Sequence, residues 1–147
     1  MSACAANREL FDALASVNRK LRALFDARVK ERGLTLSRAR ALFALSTRDG
    51  LNQRELADEL GIETPTMVRL LDGMEKQGFI ERRLEARDRR AKRIHMTDYG
   101  RGIAGEIDKL ACEIREEVLG GVEAGDKAIA LQVVARMAGN LVTIGKD

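Results

Sequence analysis

The chain is poor in the residues from which small catalytic and metal sites are built. It has one histidine, His95, and two cysteines, Cys4 and Cys112, which lie far apart in the sequence. This spacing excludes a cysteine-rich zinc site and a disulfide framework, and no nucleophile is paired with a base around His95. We therefore expect no enzyme activity, and we predict no catalytic residue, no metal and no cofactor.

Proline and aromatic residues are also scarce. Pro65 is the single proline among the 147 residues, tryptophan is absent, and aromatic residues make up 3% of the chain against 45% for hydrophobic residues. A core that must be mostly aliphatic is typical of helices. The length corresponds to one domain that can bury a real core, so we predict a single, mainly α domain over residues 1–147.

Long apolar runs are missing as well. No run approaches the ~20 residues that a membrane-spanning helix needs, and the N-terminal segment lacks the apolar core of a signal peptide. We therefore expect a soluble, cytoplasmic protein with no membrane partner.

The net charge of +3 is small, but the basic residues are unevenly distributed. Residues 82–93 contain seven lysines and arginines against two acidic residues, which gives this short segment a net charge of +5. Residues 98–147 contain six basic and nine acidic residues and have a net charge of −3. A concentrated basic segment is expected where a protein meets a polyanion.

Residues 52–61 have the pattern of the first helix and the turn of a helix-turn-helix. Asn52 and Glu55 form an N-x-x-E capping box at the start of the helix. Ala57 is small, as is needed where two helices cross closely. Gly61 follows four residues later, where the turn between the helices requires a positive φ.

A second helix is predicted over about residues 65–77. Thr64 caps it, and Pro65 takes its first position, where a missing N–H costs nothing. Thr66 and Arg69 lie one turn apart near its N-terminus, the end of a recognition helix that reaches base edges in the major groove. Arginine suits a bidentate contact with guanine, and a threonine methyl can contact thymine. Taken alone, this face could be an ordinary solvated surface.

Two short antiparallel strands are predicted next, over Phe79–Leu84 and Lys92–Thr97, with the polar segment EARDRRA between them. A basic hairpin directly after a helix-turn-helix is a wing, whose tip can place an arginine in the narrow minor groove. Asp88 is unusual on a surface that meets DNA, and we expect it to hold a neighbouring arginine in place. The alternative is a solvated, charged loop.

Amphipathic helices are predicted on both sides of this segment. Residues 7–32 carry an apolar stripe and end at Gly33, and a helix capped by Thr35 or Ser37 follows. Residues 98–147 form two more helices, the first of which is capped by Thr97 and should bury Cys112. The stripes pack either on the chain's own core or against a second copy of the chain.

We therefore predict a winged helix-turn-helix with flanking dimerisation helices. Its α-helices are accompanied by a small antiparallel β-hairpin. Residues 34–97 are assigned to the DNA-binding region, and residues 1–33 and 98–147 to dimerisation.

The residues from Asp88 to Gly100, DRRAKRIHMTDYG, resemble the wing signature of the MarR family of bacterial regulators. The segment LGIETPTMVRLLDGMEKQGFIERR, followed by DRRAKR, resembles the SlyA-type branch of that family. The resemblance covers nearly the whole chain in helix order and is most specific over residues 51–100. It implies a triangular homodimer whose two winged domains bind a pseudo-palindromic operator in double-stranded DNA, usually with repression.

The same resemblance implies which residues meet DNA. The wing arginine that enters the minor groove corresponds to Arg90, and the arginine of the recognition helix corresponds to Arg69. Asp88 and Arg89 match the positions that brace the wing. The predicted DNA-binding residues are Thr64, Pro65, Thr66, Arg69, Arg87, Asp88, Arg89, Arg90 and Lys92.

Many members of the family are released from DNA by small phenolic or aromatic carboxylates, so the resemblance also implies an effector site. The cations available for a carboxylate are Arg22, Arg38 and Arg40. Aromatic stacking would fall to Phe25, Phe43 or Tyr99. The alternative for each arginine is a solvated or ion-paired side chain.

Two other hypotheses keep the fold and change the function. Some relatives sense oxidants through a cysteine near the start of the first helix, and Cys4 precedes that helix, so a thiol-based peroxide sensor is one alternative. The other is a broad-acting architectural protein that antagonises nucleoid silencing. It differs from an operator-specific repressor in its specificity ratio, which sequence does not reveal.

Overall fold

The computed structural model describes residues 2–85, 87 and 92–146 of the chain. Within these residues the elements are, in order, α1 (Ala3–Lys30), α2 (Leu36–Thr47), β1 (Leu51–Asn52), α3 (Gln53–Leu60), α4 (Thr64–Lys76), β2 (Ile80–Leu84), β3 (Lys92–Met96), α5 (Asp98–Val118) and α6 (Ala124–Ile144). The mainly helical fold with a small antiparallel sheet confirms the predicted fold class. By its contacts the chain divides into two compact units, residues 1–112 and 113–147.

The sheet has three strands in the order β1-β3-β2, and both pairings are antiparallel. Leu51 of β1 lies opposite Ile94 of β3, and on the other side Ile80 of β2 lies opposite Met96. Because β1 precedes α3 and β2 follows α4, the central strand ties together the two ends of the helix-turn-helix. The sequence predicted the β2–β3 hairpin, and β1 adds a third strand to it.

The core of the first unit is aliphatic, as predicted, and it fills the space among α2, α3, α4 and the sheet. Its largest fully buried side chains in these elements are Leu42, Leu45, Leu51, Leu56, Met67, Leu71, Met74, Ile80 and Ile94. Complete burial of a side chain of this size stabilises a fold by about 1.5–3 kcal/mol. The helices therefore depend on their apolar faces far more than on intrinsic propensity.

Three of the predicted helix caps are confirmed. The side chains of Thr35, Asn52 and Thr97 accept hydrogen bonds from the backbone N–H groups three residues ahead, at 3.2, 2.8 and 3.0 Å. Only half of the predicted capping box is formed, because the Glu55 carboxylate pairs with Arg48 at 2.5 Å.

The predicted cap of α4 is wrong. The Met67 N–H donates to the carbonyl of Glu63 at 3.0 Å, so Glu63 is the capping residue and no side chain completes the cap. Thr64 is consequently the first residue of the helix and Pro65 the second. The error is one residue, and proline is tolerated at both positions because the first turn leaves its N–H groups unpaired.

Other differences concern boundaries and burial. α1 begins at Ala3 rather than residue 7, because the Ser2 hydroxyl accepts a bond from the Ala5 N–H at 3.3 Å and caps an earlier turn. β2 begins one residue later, and β3 ends one residue earlier, than predicted. Cys112 is exposed rather than buried, since the buried stripe of α5 runs through its neighbour Ala111 instead.

α6 corrects the expectation that no segment is long and apolar enough to span a membrane. It has 21 residues and contains an 18-residue window with a mean hydropathy of 1.2, which meets that requirement by length and composition alone. Charged residues interrupt the run in the sequence, so the apolar character emerges only as an average over that window. None of its residues is buried.

The start of α5 approaches the turn between α4 and β2 closely at Gly100. A Cβ at Gly100 would collide with the backbone carbonyl of Phe79, whereas a Cβ at Gly102 would meet nothing within 4 Å. We expect Gly100→Ala to lower the free energy of unfolding by about 1–3 kcal/mol, because overpacking forces the backbone apart. Gly102→Ala should raise it by roughly 0.5–1 kcal/mol, because alanine loses less chain entropy in a helix.

Chemical unfolding of both variants at equal protein concentration measures the difference. Equal stability of the two variants would contradict the close packing of Phe79 against α5.

Candidate nucleic-acid interface

The two sides of α4 differ sharply in burial. The side that faces the core consists of Met67, Leu70, Leu71 and Met74. The predicted DNA-binding residues of the helix all lie on the other side and are exposed: Thr64, Pro65, Thr66 and Arg69. The structure therefore brings these four together on one free face in the first two turns.

Val68 also belongs to this exposed face and was missed in the sequence. It is 38% exposed although it is apolar. Its position four residues after Thr64 places the two on the same side of a helix, which is the signal that would have identified it. An exposed branched methyl group can contact a thymine methyl in the major groove.

The turn before α4 directs this face outward. Gly61 adopts the left-handed conformation, with φ 64° and ψ 35°, and the Ile62 N–H donates to the carbonyl of Ala57 at 3.0 Å. A side chain with a Cβ would be strained at that φ. The positive-φ glycine predicted for the turn is therefore confirmed.

The basic residues at the base of the hairpin are engaged by acidic residues. Arg82 lies 2.7 Å from the Asp72 carboxylate, Arg83 pairs with Glu81, and Arg93 contacts Glu85 at 3.0 Å. Arg93 also donates to the carbonyl of Gly50 at 3.0 Å. Arg82 ties the hairpin to α4 and Arg93 ties β3 to Glu85 and to Gly50, whereas Arg83 pairs within its own strand. All three arginines have an acidic partner, so less positive charge faces outward than the sequence indicates.

The remaining described basic residues of the hairpin are exposed. Arg87 lies between the strands in sequence, and Lys92 begins β3 opposite Leu84, at the end of the hairpin away from Met96. The predicted wing residues Asp88, Arg89 and Arg90 lie outside the described residues.

Asp49 fixes β3 against the turn that precedes β1. One carboxylate oxygen accepts a hydrogen bond from the Met96 N–H at 3.0 Å, and the other lies 3.1 Å from Nδ1 of His95. Partial burial acts to raise the pKa of Asp49, but the bond from Met96 and the interaction with His95 outweigh it. The pKa of Asp49 therefore lies below its usual value of 3.8.

The structure brings only some of the predicted effector residues together. The rings of Phe25 and Phe43 approach with centroids 6.3 Å apart, and Arg40 and Phe43 line a cleft of about 300 Å³ between α2 and α3. Arg38 instead donates to the side chain of Gln77 and lies over Gly73 of α4, where its guanidinium occupies the space a Cβ would need. Arg22 is exposed on α1, one turn before Phe25.

Both cysteines are free and exposed. No group of three or more histidine, cysteine, aspartate or glutamate side chains within the described part of the chain is arranged to hold a metal ion.

Comparison with known proteins identifies the same architecture. Residues 32–91 match the sequence profile of the MarR family. The transcriptional regulator PA3341 is 38% identical, with a TM-score of 0.78 over 91% of this chain and 98% of that protein. Apo MarR from E. coli is 19% identical, with a TM-score of 0.77 over 87% and 96% of the two chains. SlyA is 23% identical, with a TM-score of 0.76 over 90% and 93%.

The two contacts of the Asp49 carboxylate should make the free energy of unfolding depend on pH. Asp49→Ala leaves the Met96 N–H without its acceptor, so we expect the free energy of unfolding at pH 7 to fall by about 1–3 kcal/mol. Because the pKa of Asp49 is depressed in the folded state, the contribution of the carboxylate is present above pH 3.8 and is lost as the pH falls through the folded pKa.

Chemical unfolding between pH 3 and pH 7 tests this expectation. The difference in the free energy of unfolding between wild type and Asp49→Ala should become smaller below about pH 4, the ordinary pKa of aspartate. Asp58→Ala, which removes an exposed carboxylate of α3, is the matched control. A gap that stays constant down to pH 3 would show that the Asp49 charge contributes nothing.

Proposed function

This chain belongs to the MarR family, whose members are transcriptional regulators rather than enzymes, and we propose that it binds a specific operator as a homodimer. The observation that carries the proposal is the exposed face at the start of α4 beside a basic hairpin. An arginine-bearing helix face and a hairpin with outward lysine and arginine match the two grooves of duplex DNA.

Each exposed residue in the first two turns of α4 has a role in this proposal. Arg69 donates to a guanine edge, and Thr66 and Val68 offer methyl groups to thymine. The backbone at Thr64 and Pro65 lies at the start of the helix, where the positive end of the helix dipole favours a phosphate.

The hairpin supplies the second set of contacts. Arg87 and Lys92 bind phosphates, and Arg90 enters the minor groove, where the negative potential is strongest when the groove is narrow. Asp88 and Arg89 brace the hairpin. These five residues complete the proposed interface.

The dimer is supported by apolar faces that a single chain leaves uncovered. On α1 the exposed residues include Leu10, Phe11, Leu14 and Val17, and on α6 they include Ile129, Leu131, Val134, Leu141 and Ile144. Exposed apolar residues clustered along a helix mark an interface in a soluble protein. A second copy of the chain is the partner we propose, because homodimers are typical of the family.

A dimer also accounts for the apolar composition of α6 without a membrane. Residues 1–33 and 98–147 would then be dimerisation helices in a single-domain subunit, with residues 34–97 as the DNA-binding region. Two copies of α4 would enter successive major grooves about 10 bp apart, and the operator would be pseudo-palindromic. We place the protein in the cytoplasm, in the SlyA-like branch, as a repressor.

We propose that a small aromatic carboxylate regulates the protein by releasing it from DNA. Arg40 and Phe43 at the α2–α3 cleft, with Phe25 against Phe43, offer a cation beside aromatic surface. Arg22 lies one turn from Phe25 on α1 and remains a second candidate cation. The bond from Arg38 to Gln77 makes Arg38 the weakest member of the predicted set.

The DNA contacts are tested with operator DNA selected from random duplexes. The logarithm of affinity should fall with the logarithm of salt concentration at about −0.9 per phosphate neutralised, and Lys92→Ala should reduce the slope by roughly one contact. Arg69→Ala should relax the sequence selected by the protein at one position in each half-site.

Arg32→Ala removes an exposed arginine between α1 and α2 and serves as the control. We expect it to leave both the salt slope and the selected DNA sequence unchanged. A flat salt response in the wild type would rule out DNA as the partner. An unchanged motif for Arg69→Ala would remove Arg69 from base recognition.

The dimer is tested by a charge on the apolar face of α6. Leu131 is 70% exposed in a single chain, and Leu131→Asp would have to be desolvated in an interface. We therefore expect mainly monomers by sedimentation and loss of tight operator binding. Gln132→Asp, on the polar side of the same helix, should stay dimeric, and a dimeric Leu131→Asp variant would contradict the proposed interface.

A further inference from the structure

Arg82 stands out among the basic residues of the hairpin because it points at the recognition helix. Its Nη2 lies 2.7 Å from Oδ1 of Asp72, and its Nε lies 3.8 Å from Oε2 of Glu75. The Arg82 side chain is 23% exposed, whereas the two carboxylates are about half exposed. The arginine is therefore the more enclosed partner, with its guanidinium turned toward α4.

The two carboxylates form a two-point attachment. Asp72 and Glu75 are three residues apart on α4 and so lie on one side of the helix. Arg82 belongs to β2, where it lies opposite Ile94 of the central strand. A planar guanidinium held at two points constrains direction as well as distance. The contact thus relates the orientation of the hairpin to that of α4.

The covalent link between α4 and β2 is a short turn. Gly78 has a φ of 78°, and the Phe79 N–H donates to the carbonyl of Met74 at 3.0 Å. Arg82 lies four residues beyond this turn and adds a second point of attachment. Together, the turn and the ion pairs define the angle between the helix and the hairpin.

Charge makes this contact relevant to binding. Exposed carboxylates on a recognition helix repel the phosphates of DNA. Asp72 lies one turn after Arg69, close to the proposed interface. Pairing with Arg82 offsets the charge of both carboxylates and also consumes the charge of Arg82, so that arginine is not free for a phosphate.

We propose that Arg82 is a positioning residue that fixes the hairpin against the recognition helix, so that both meet the DNA at once. The inference rests on the proposed DNA-binding function. A hairpin held in advance loses less entropy on binding than a free one. Partly exposed ion pairs contribute little to folding stability, so the contact affects binding much more than the fold.

The decisive variant is Asp72→Asn, because the two possible roles of Arg82 predict opposite signs. If Arg82 positions the hairpin, the loss of its partner Asp72 should weaken operator binding, even though the substitution makes the protein more positive. We expect a loss of about 10-fold, which is typical of coupled charged groups in contact. If Arg82 binds phosphate, Asp72→Asn frees it, so binding should tighten and the salt slope should steepen. The salt dependence of the affinity distinguishes the two roles. A positioning residue contacts no phosphate, so its loss leaves the salt slope unchanged.

Three further variants complete the test. Arg82→Gln should weaken binding to a similar extent with the wild-type salt slope, and Arg82→Gln combined with Asp72→Asn should weaken it no further. Arg82→Lys should restore part of the loss, because lysine keeps the charge but not the two-point geometry. Asp58→Asn removes one exposed negative charge from α3 and should not weaken binding.

Unfolding curves for each variant confirm that the protein is folded at the assay temperature. Unchanged or tighter binding by Asp72→Asn, or a reduced slope for Arg82→Gln, would overturn the positioning role. Failure of the wild type to bind any selected duplex would instead refute the DNA-binding function itself and the inference with it.

Discussion

The central strand β3 is the constraint on which the arrangement of the DNA-binding region depends. It pairs with β1, which precedes α3, and with β2, which follows α4, so the helix-turn-helix is closed at both ends by one strand. The Gly50 N–H donates to the carbonyl of Ile94 at 3.0 Å, and Asp49 accepts from Met96 beside it. The same closure continues into α5, since the Thr97 N–H donates to the carbonyl of Phe79 at 3.1 Å.

The basic residues of the hairpin differ in whether an acidic residue pairs with them. Arg82 pairs with acids of α4, Arg83 with Glu81 of its own strand, and Arg93 with Glu85 just after β2. The first and last of these contacts tie the hairpin to α4 and its two sides to each other. Farther along, Arg87 and Lys92 are exposed. The segment with a net charge of +5 is thus divided between residues that build the surface and residues that face outward, and net charge alone does not separate these roles.

Local features of the DNA-binding region were predictable from the sequence, because each is governed by neighbours within four residues. Asn52 and Thr97 cap helices as expected, Gly61 turns the chain, and the apolar spacing of α4 places Thr66 and Arg69 outside. The cap of α4 was misplaced by one residue because threonine is a favoured capping residue and glutamate is not, yet the backbone bond from Met67 to Glu63 sets the boundary.

Contacts between distant residues were not predictable in the same way. Arg38 meets Gln77, which is 39 residues away, and Arg82 meets Asp72 across the turn at Gly78. An arginine has the same local signature whether it pairs with a carboxylate, an amide or a phosphate, so only the fold separates these cases. The exposure of Cys112 likewise follows from which side of α5 meets the core, a matter of one helical position.

The most direct test of the central claim is a hydroxyl-radical footprint of the protein on a selected duplex, read on both strands. Binding by α4 and the hairpin of two subunits predicts two protected backbone blocks about one helical turn apart, related by a dyad, with flanking minor-groove protection. A single block, or uniform protection without a dyad, would contradict the claim that two winged helix-turn-helix units bind together.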